Sequence, residues 1–137
     1  MYENDSAFTT RFSAGVIPAK NLLCNIDTDT GELNVEVVAL ASTYPHFVCT
    51  DKTAGAGEEV TCRVIGLGTM SVTCVAAGAI TAGRQIYTAP SGKVQVLPTS
   101  AGTYWYLGFA LESAAGNNST VKCSLGIPQK LIVEAQP

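Results

Sequence analysis

The sequence predicts an all-β chain: a single compact domain of β-barrel or sandwich type, preceded by an extended N-terminal arm. Three observations carry that expectation. Short runs alternate apolar and polar residues in strand phase, turn residues recur about every ten residues, and no segment joins a helical period to capping residues. With 137 residues, the chain suits one domain and can bury roughly two thirds of its unfolded surface.

Residues 1–31 read as the arm. Phe8-Thr9-Thr10-Arg11-Phe12 alternates, but Gly15, Pro18 and Asn21 then interrupt the pattern. Asp27-Thr28-Asp29-Thr30-Gly31 is a turn, because aspartate side chains readily accept hydrogen bonds from backbone N–H groups two residues on. The β domain is expected over 32–137. Leu33 to Leu40 is β-branched and apolar, and Phe47 to Thr50 forms a short strand. Glu59 to Ile65 and Thr69 to Val75 alternate strongly, and Gly66-Leu67-Gly68 between them reads as a hairpin turn. Gln85 to Thr88 follows, then the Pro90-Ser91-Gly92 turn, where proline presets φ and glycine accepts φ > 0. Lys93 to Leu97, Tyr104 to Leu111, Thr120 to Leu125 and Lys130 to Glu134 complete the series.

Composition narrows the function. Charged residues make up 14% of the chain, against about a quarter in ordinary soluble domains. A surface that poor in charge is either rich in Ser and Thr or covered by a partner. The net charge is −3, and the eight basic residues stand singly. Nucleic acid is therefore not an expected partner, since phosphate binding needs clustered Lys and Arg. The N-terminus, Met1-Tyr2-Glu3-Asn4-Asp5, has the wrong charge for a signal peptide. No run reaches the ~18 apolar residues of a membrane span, so synthesis in a cytoplasm and no membrane partner are expected.

Reactive constellations are lacking in the pattern, and neither catalytic residues, metal ligands nor cofactor are expected. The five cysteines are odd in number and contain no Cys-x-x-Cys pair. Strand phase places Cys62, Cys74 and Cys123 among apolar core positions; a Cys62–Cys74 disulfide is the alternative. Asp27-x-Asp29-x-Gly31 departs from a calcium loop, with Glu32 at the sixth position and Val38 at the twelfth. His46 has no activated nucleophile beside it; Cys49, three residues on, falls on the opposite strand face.

The aromatic residues are the candidate contact residues. In Tyr104 to Leu111, alternation directs Trp105, Leu107, Phe109 and Leu111 inward and leaves Tyr104 and Tyr106 on the outer face. Tyrosine in that position is a favoured interface anchor, although a loop or the arm could equally cover it. Phe8, Arg11 and Phe12 on the arm raise the same choice between docking on their own domain and docking on a neighbour.

Val72 to Val94, with Ala76-Ala77-Gly78-Ala79-Ile80-Thr81-Ala82-Gly83, the Ile86-Tyr87 strand and the Ser91-Gly92-Lys93-Val94 turn, is followed by Leu107-Gly108-Phe109-Ala110-Leu111-Glu112. This arrangement resembles the small capsid decoration (cement) proteins of tailed bacteriophages, over roughly residues 58–125. The resemblance implies a β-barrel-like domain on the outside of the expanded head. Its implied partner is the major capsid protein, with homotrimers placed where several capsid subunits meet. It brings no catalytic residues, and Phe8, Arg11, Phe12, Tyr104 and Tyr106 remain interface candidates on physical grounds alone. The alternative function is a carbohydrate-binding or adhesin-type module of a virion, for which a flat aromatic platform beside Asn, Asp or Gln would be diagnostic.

Overall fold

A computed structural model describes residues 8–66 and 68–135. Residues 1–7 of the expected arm, and Leu67 of the expected hairpin turn, lie outside the described residues. The fold is all-β, as the sequence predicts, and is built as two sheets. Strands β1 (Phe8–Ser13), β2 (Leu22–Ile26), β3 (Asn34–Val37), β4 (Phe47–Cys49) and β5 (Glu59–Val64) form a closed barrel in the order β1-β3-β2-β4-β5. Strands β6 (Met70–Val75), β7 (Gln85–Thr88), β8 (Val94–Gln95), β9 (Gly102–Ala110) and β10 (Thr120–Val133) form a second sheet in the order β6-β10-β9-β7-β8. That sheet curls, so that Ala77 N–H at the end of β6 reaches the Val94 carbonyl at 2.8 Å.

Two expectations need correction. The stretch read as an extended arm supplies β1, which pairs with β3 and β5, and β2, which pairs with β3 and β4. Gly15, Pro18 and Asn21 punctuate the connection between two barrel strands. That connection is itself fixed, for Ile17 exchanges backbone hydrogen bonds with Thr53. Strands β5 and β6 likewise do not form a hairpin: β5 pairs with β1 and β4, β6 with β10, so the chain passes from one sheet to the other between them. The Asp27 turn is as expected, with Asp29 N–H and Thr30 Oγ1 both donating to its carboxylate, at 3.0 and 2.8 Å.

Two cores explain the strand sequences. Leu22, Cys24, Phe47, Cys49, Val60 and Cys62 fill the barrel. Leu23 and Val48 sit between them in sequence and point the other way, into a second core with Ile86, Leu107, Val121 and Leu125. Residues 22–24 of β2 and all of β4 are therefore buried on both faces, and read as short apolar runs rather than as alternation. The Pro90–Gly92 turn fastens the sheets: Gly92 N–H donates to the Val38 carbonyl at 2.7 Å, and Ser91 N–H to that of Ala39 at 3.2 Å. Gly92 has φ +73°, and a Cβ there would come within 2.8 Å of the Leu23 oxygen.

Candidate functional site

The outer face of the second sheet is organised by a fault in β9. Leu107 points inward and is buried, as alternation predicts. Trp105, expected in the core, is only half-buried and joins neither core; its Nε1 donates to the Ser42 carbonyl at 3.0 Å, on the connection between β3 and β4. Tyr44 meets the Trp105 ring edge-on, with centroids 4.8 Å apart. The phase then slips. Strand β7 pairs Tyr87 with Tyr106 but Ile86 with Gly108, so β9 carries one extra residue at Leu107. Beyond this bulge Phe109 and Leu111 face solvent, at 42% and 46% exposure, and Ala110 turns inward. The inward placement expected for Phe109 and Leu111 is thus corrected, because alternation cannot survive an inserted residue.

The candidate contact residues divide. Tyr106 lies half-buried on the outer face, its ring 5.5 Å from that of Tyr87. Tyr104 is buried, because the loop before β9 covers it and its hydroxyl donates to the Ser100 carbonyl at 2.9 Å. On the barrel, Phe8 and Phe12 are exposed, opposite Arg63 and Glu59 of β5. Arg11 is only partly exposed; its guanidinium lies 5.8 Å from the Phe47 ring, on the side of the barrel interior. Arg63 lies over Phe8 and donates from Nη1 to the Ser71 carbonyl at 2.7 Å, tying the barrel to β6.

Around Tyr106 the face is apolar and amide-rich. Phe109 is paired with Gln85 on one side and Ser124 on the other, and Gln129 pairs with Tyr106. A second irregularity, in β10 between Leu125 and Gln129, pushes out Ile127, which is 62% exposed. A shallow groove of about 210 Å³ runs between Tyr106, Phe109 and Ile127. Among the described residues no carboxylate lines it. Sequence reading missed Phe109, Ile127, Gln85 and Gln129; an isolated glycine inside a strand pattern, here Gly108, was the available signal of a bulge.

His46 serves the fold. Its Nδ1 accepts the Ile26 N–H at 3.2 Å, and its ring lies 5.1 Å from that of Tyr44. Burial lowers its pKa below the ordinary value, so the neutral imidazole that can accept this bond is favoured. The unfolded chain then binds more protons than the folded one in the window just below pH 6.5, and stability falls as pH drops through it. Melting temperatures at pH 7.5 and 5.5 should show a smaller acid-side loss in His46→Asn, whose acceptor does not titrate, than in wild type. Equal losses would mean that His46 is not linked to folding.

All five cysteines are buried free thiols. Cys62 and Cys74 lie in different cores, so the alternative disulfide between them is not formed. The Cys49 thiol is pushed up by the neighbouring Cys24 thiol and by burial, and Cys62 by its bond with Cys49 and by burial. Neither is a ready thiolate nucleophile.

Among the described residues no helix is long and apolar enough to cross a membrane, and no three His, Cys, Asp or Glu side chains are grouped to hold a metal ion. Sequence comparison matches residues 26–125 to the family described as phage cement protein. No curated protein matches the chain. Among solved structures, the head fiber gp8.5 N base of bacteriophage phi29 is similar, with a TM-score of 0.63 and 18% identity, covering 89% of this chain and 95% of that one. At that identity the likeness concerns the fold.

Proposed function

Because this chain belongs to the phage cement protein family, we propose that it binds the outer surface of the expanded phage head and stabilises the shell without catalysis. Its partner in this reading is the major capsid protein, and three copies gather at each site. It is made in the bacterial cytoplasm and ends on the capsid exterior, contacting neither nucleic acid nor membrane.

The observation that carries the reading is the outer face of the second sheet. Tyr106, Phe109 and Ile127 form an apolar strip on hydrogen-bonded strands, flanked by the uncharged Gln85 and Gln129. Interface cores are enriched in aromatics and depleted of charge, and a preformed strip loses little entropy on docking. Repetition over a symmetric shell multiplies a modest single contact. We assign this strip to the shell, and exposed Phe8 and Phe12 on the barrel wall to the contact between copies. Arg11 and Tyr104, engaged within their own chain, are left out of both.

Phe109→Asp combined with Ile127→Asp tests the assignment. Both residues are more than 40% exposed, so the melting temperature should change little. Affinity for expanded heads should fall about tenfold or more, as expected for loss of central anchors. Unchanged affinity would remove the strip from the contact. Gln85 and Gln129 beside Tyr106 also suit a sugar ring stacked on tyrosine, the second reading; binding in a glycan screen, with none to heads, would favour it.

A further inference from the structure

Inside the barrel, Cys49 and Cys62 occupy directly opposed positions on the antiparallel strands β4 and β5, with their sulfurs 3.3 Å apart. The ladder shows which kind of pair this is. Thr50 N–H donates to the Thr61 carbonyl and Ile65 N–H to that of His46. The hydrogen-bonded pairs are therefore 50 with 61, 48 with 63 and 46 with 65, which makes 49 with 62 a non-hydrogen-bonded pair. In such pairs the Cα atoms stand about 4.5 Å apart and the side chains lean together. That spacing lies within the ~4.4–6.8 Å range that a disulfide spans.

The other thiols are placed differently. Cys24 is paired with Phe47 and Cys49 with Leu22, so Cys24 and Cys49 are diagonal neighbours. Cys74 and Cys123 are diagonal too, since Cys74 is paired with Val121 and Cys123 with Val72. Diagonal positions stand about 7–8 Å apart, beyond ordinary disulfide reach. Only one of these pairs can close without moving a strand.

We infer that Cys49 and Cys62 are a latent cross-strand disulfide site, closed by small-molecule disulfides such as oxidised glutathione. One thiol loses its proton and attacks the small disulfide, forming a mixed disulfide and releasing one small thiolate. The second thiol, deprotonated in turn, attacks the protein sulfur of that mixed disulfide and expels the other small thiolate. The protein loses two electrons, the small disulfide gains them, and the two protons end on the two released thiols. Both sulfurs are fully buried, so the rate follows opening of the barrel wall, and the reaction is slow in the native state. The bond ties β4 to β5 across the connection between them, and the oxidised barrel melts higher than the reduced one. For a virion, which is the reading proposed above, the chain would be open in the reducing cell and locked outside it.

The test uses the isolated full chain, so its outcome does not depend on capsid binding. The protein is held in oxidised glutathione, both native and during refolding, then unfolded and alkylated. Expected are three free thiols of the original five, a proteolytic fragment joining Cys49 to Cys62, and a higher melting temperature reversed by dithiothreitol. Cys62→Ala should keep all four of its thiols under the same treatment. Five free thiols after both treatments would overturn the inference. So would a fragment joining any other pair, Cys24 with Cys49 included.

Discussion

Gly108→Ala is expected to destabilise the chain by about 3–5 kcal/mol, combining overpacking with backbone strain. Much of the stability of a domain this size would be lost. Gly108 sits at the β9 bulge with φ +153°, and a Cβ there would fall on the Ser124 carbonyl oxygen of β10. Neither partner can give way easily. The contacted oxygen is main chain of β10, held between β6 and β9 inside the sheet, and adjacent Leu125 is fully buried. Strands β9 and β10 would have to separate where Leu107 and Leu125 build the second core. Gly126→Ala is the control, because nothing lies within 4 Å of its would-be Cβ and its φ is not in the strained range. Denaturant unfolding should show the first variant strongly destabilised and the second within about 1 kcal/mol of wild type. Similar midpoints for both would mean that the strands do not approach so closely at Gly108.

Deleting residues 1–30 is expected to abolish the folded state. The deletion removes β1, the strand that closes the barrel against β5, and β2, which carries Leu22, Leu23 and Cys24. Leu23 belongs to the second core, so the damage extends into both. Truncating even one buried leucine of this kind to alanine costs about 2–5 kcal/mol, and the edges of β3, β4 and β5 would be left unpaired. Loss of the cooperative transition in circular dichroism checks this. A truncated chain that still melts cooperatively would show that β1 and β2 are accessory to the fold.

Local features were legible in the sequence and pairing partners were not. The strand series, the Asp27 turn and the inward direction of Leu107 all follow from residue type and spacing within a few positions. Residues 8–26 looked unlike the rest because their connection is full of turn residues, yet what fixes them is pairing with strands up to about fifty residues away. No local pattern reports that. Strands β5 and β6 both alternate and flank a glycine turn, but their apolar faces serve different cores. The candidate contact face was half legible. Tyr106 faces outward as alternation predicts, whereas Phe109 is turned over by one inserted residue and Tyr104 is covered by a loop. Gly108 held the clue, for its missing side chain is what lets the bulge press against β10.

The measurement that bears most directly on the proposed role is co-sedimentation of the wild-type protein with expanded and unexpanded heads from the same phage, both stripped of surface proteins. Saturable binding to expanded heads alone, at a fixed number of copies per head, is the result the account predicts. Binding to neither form, under conditions where the protein is folded, would contradict it.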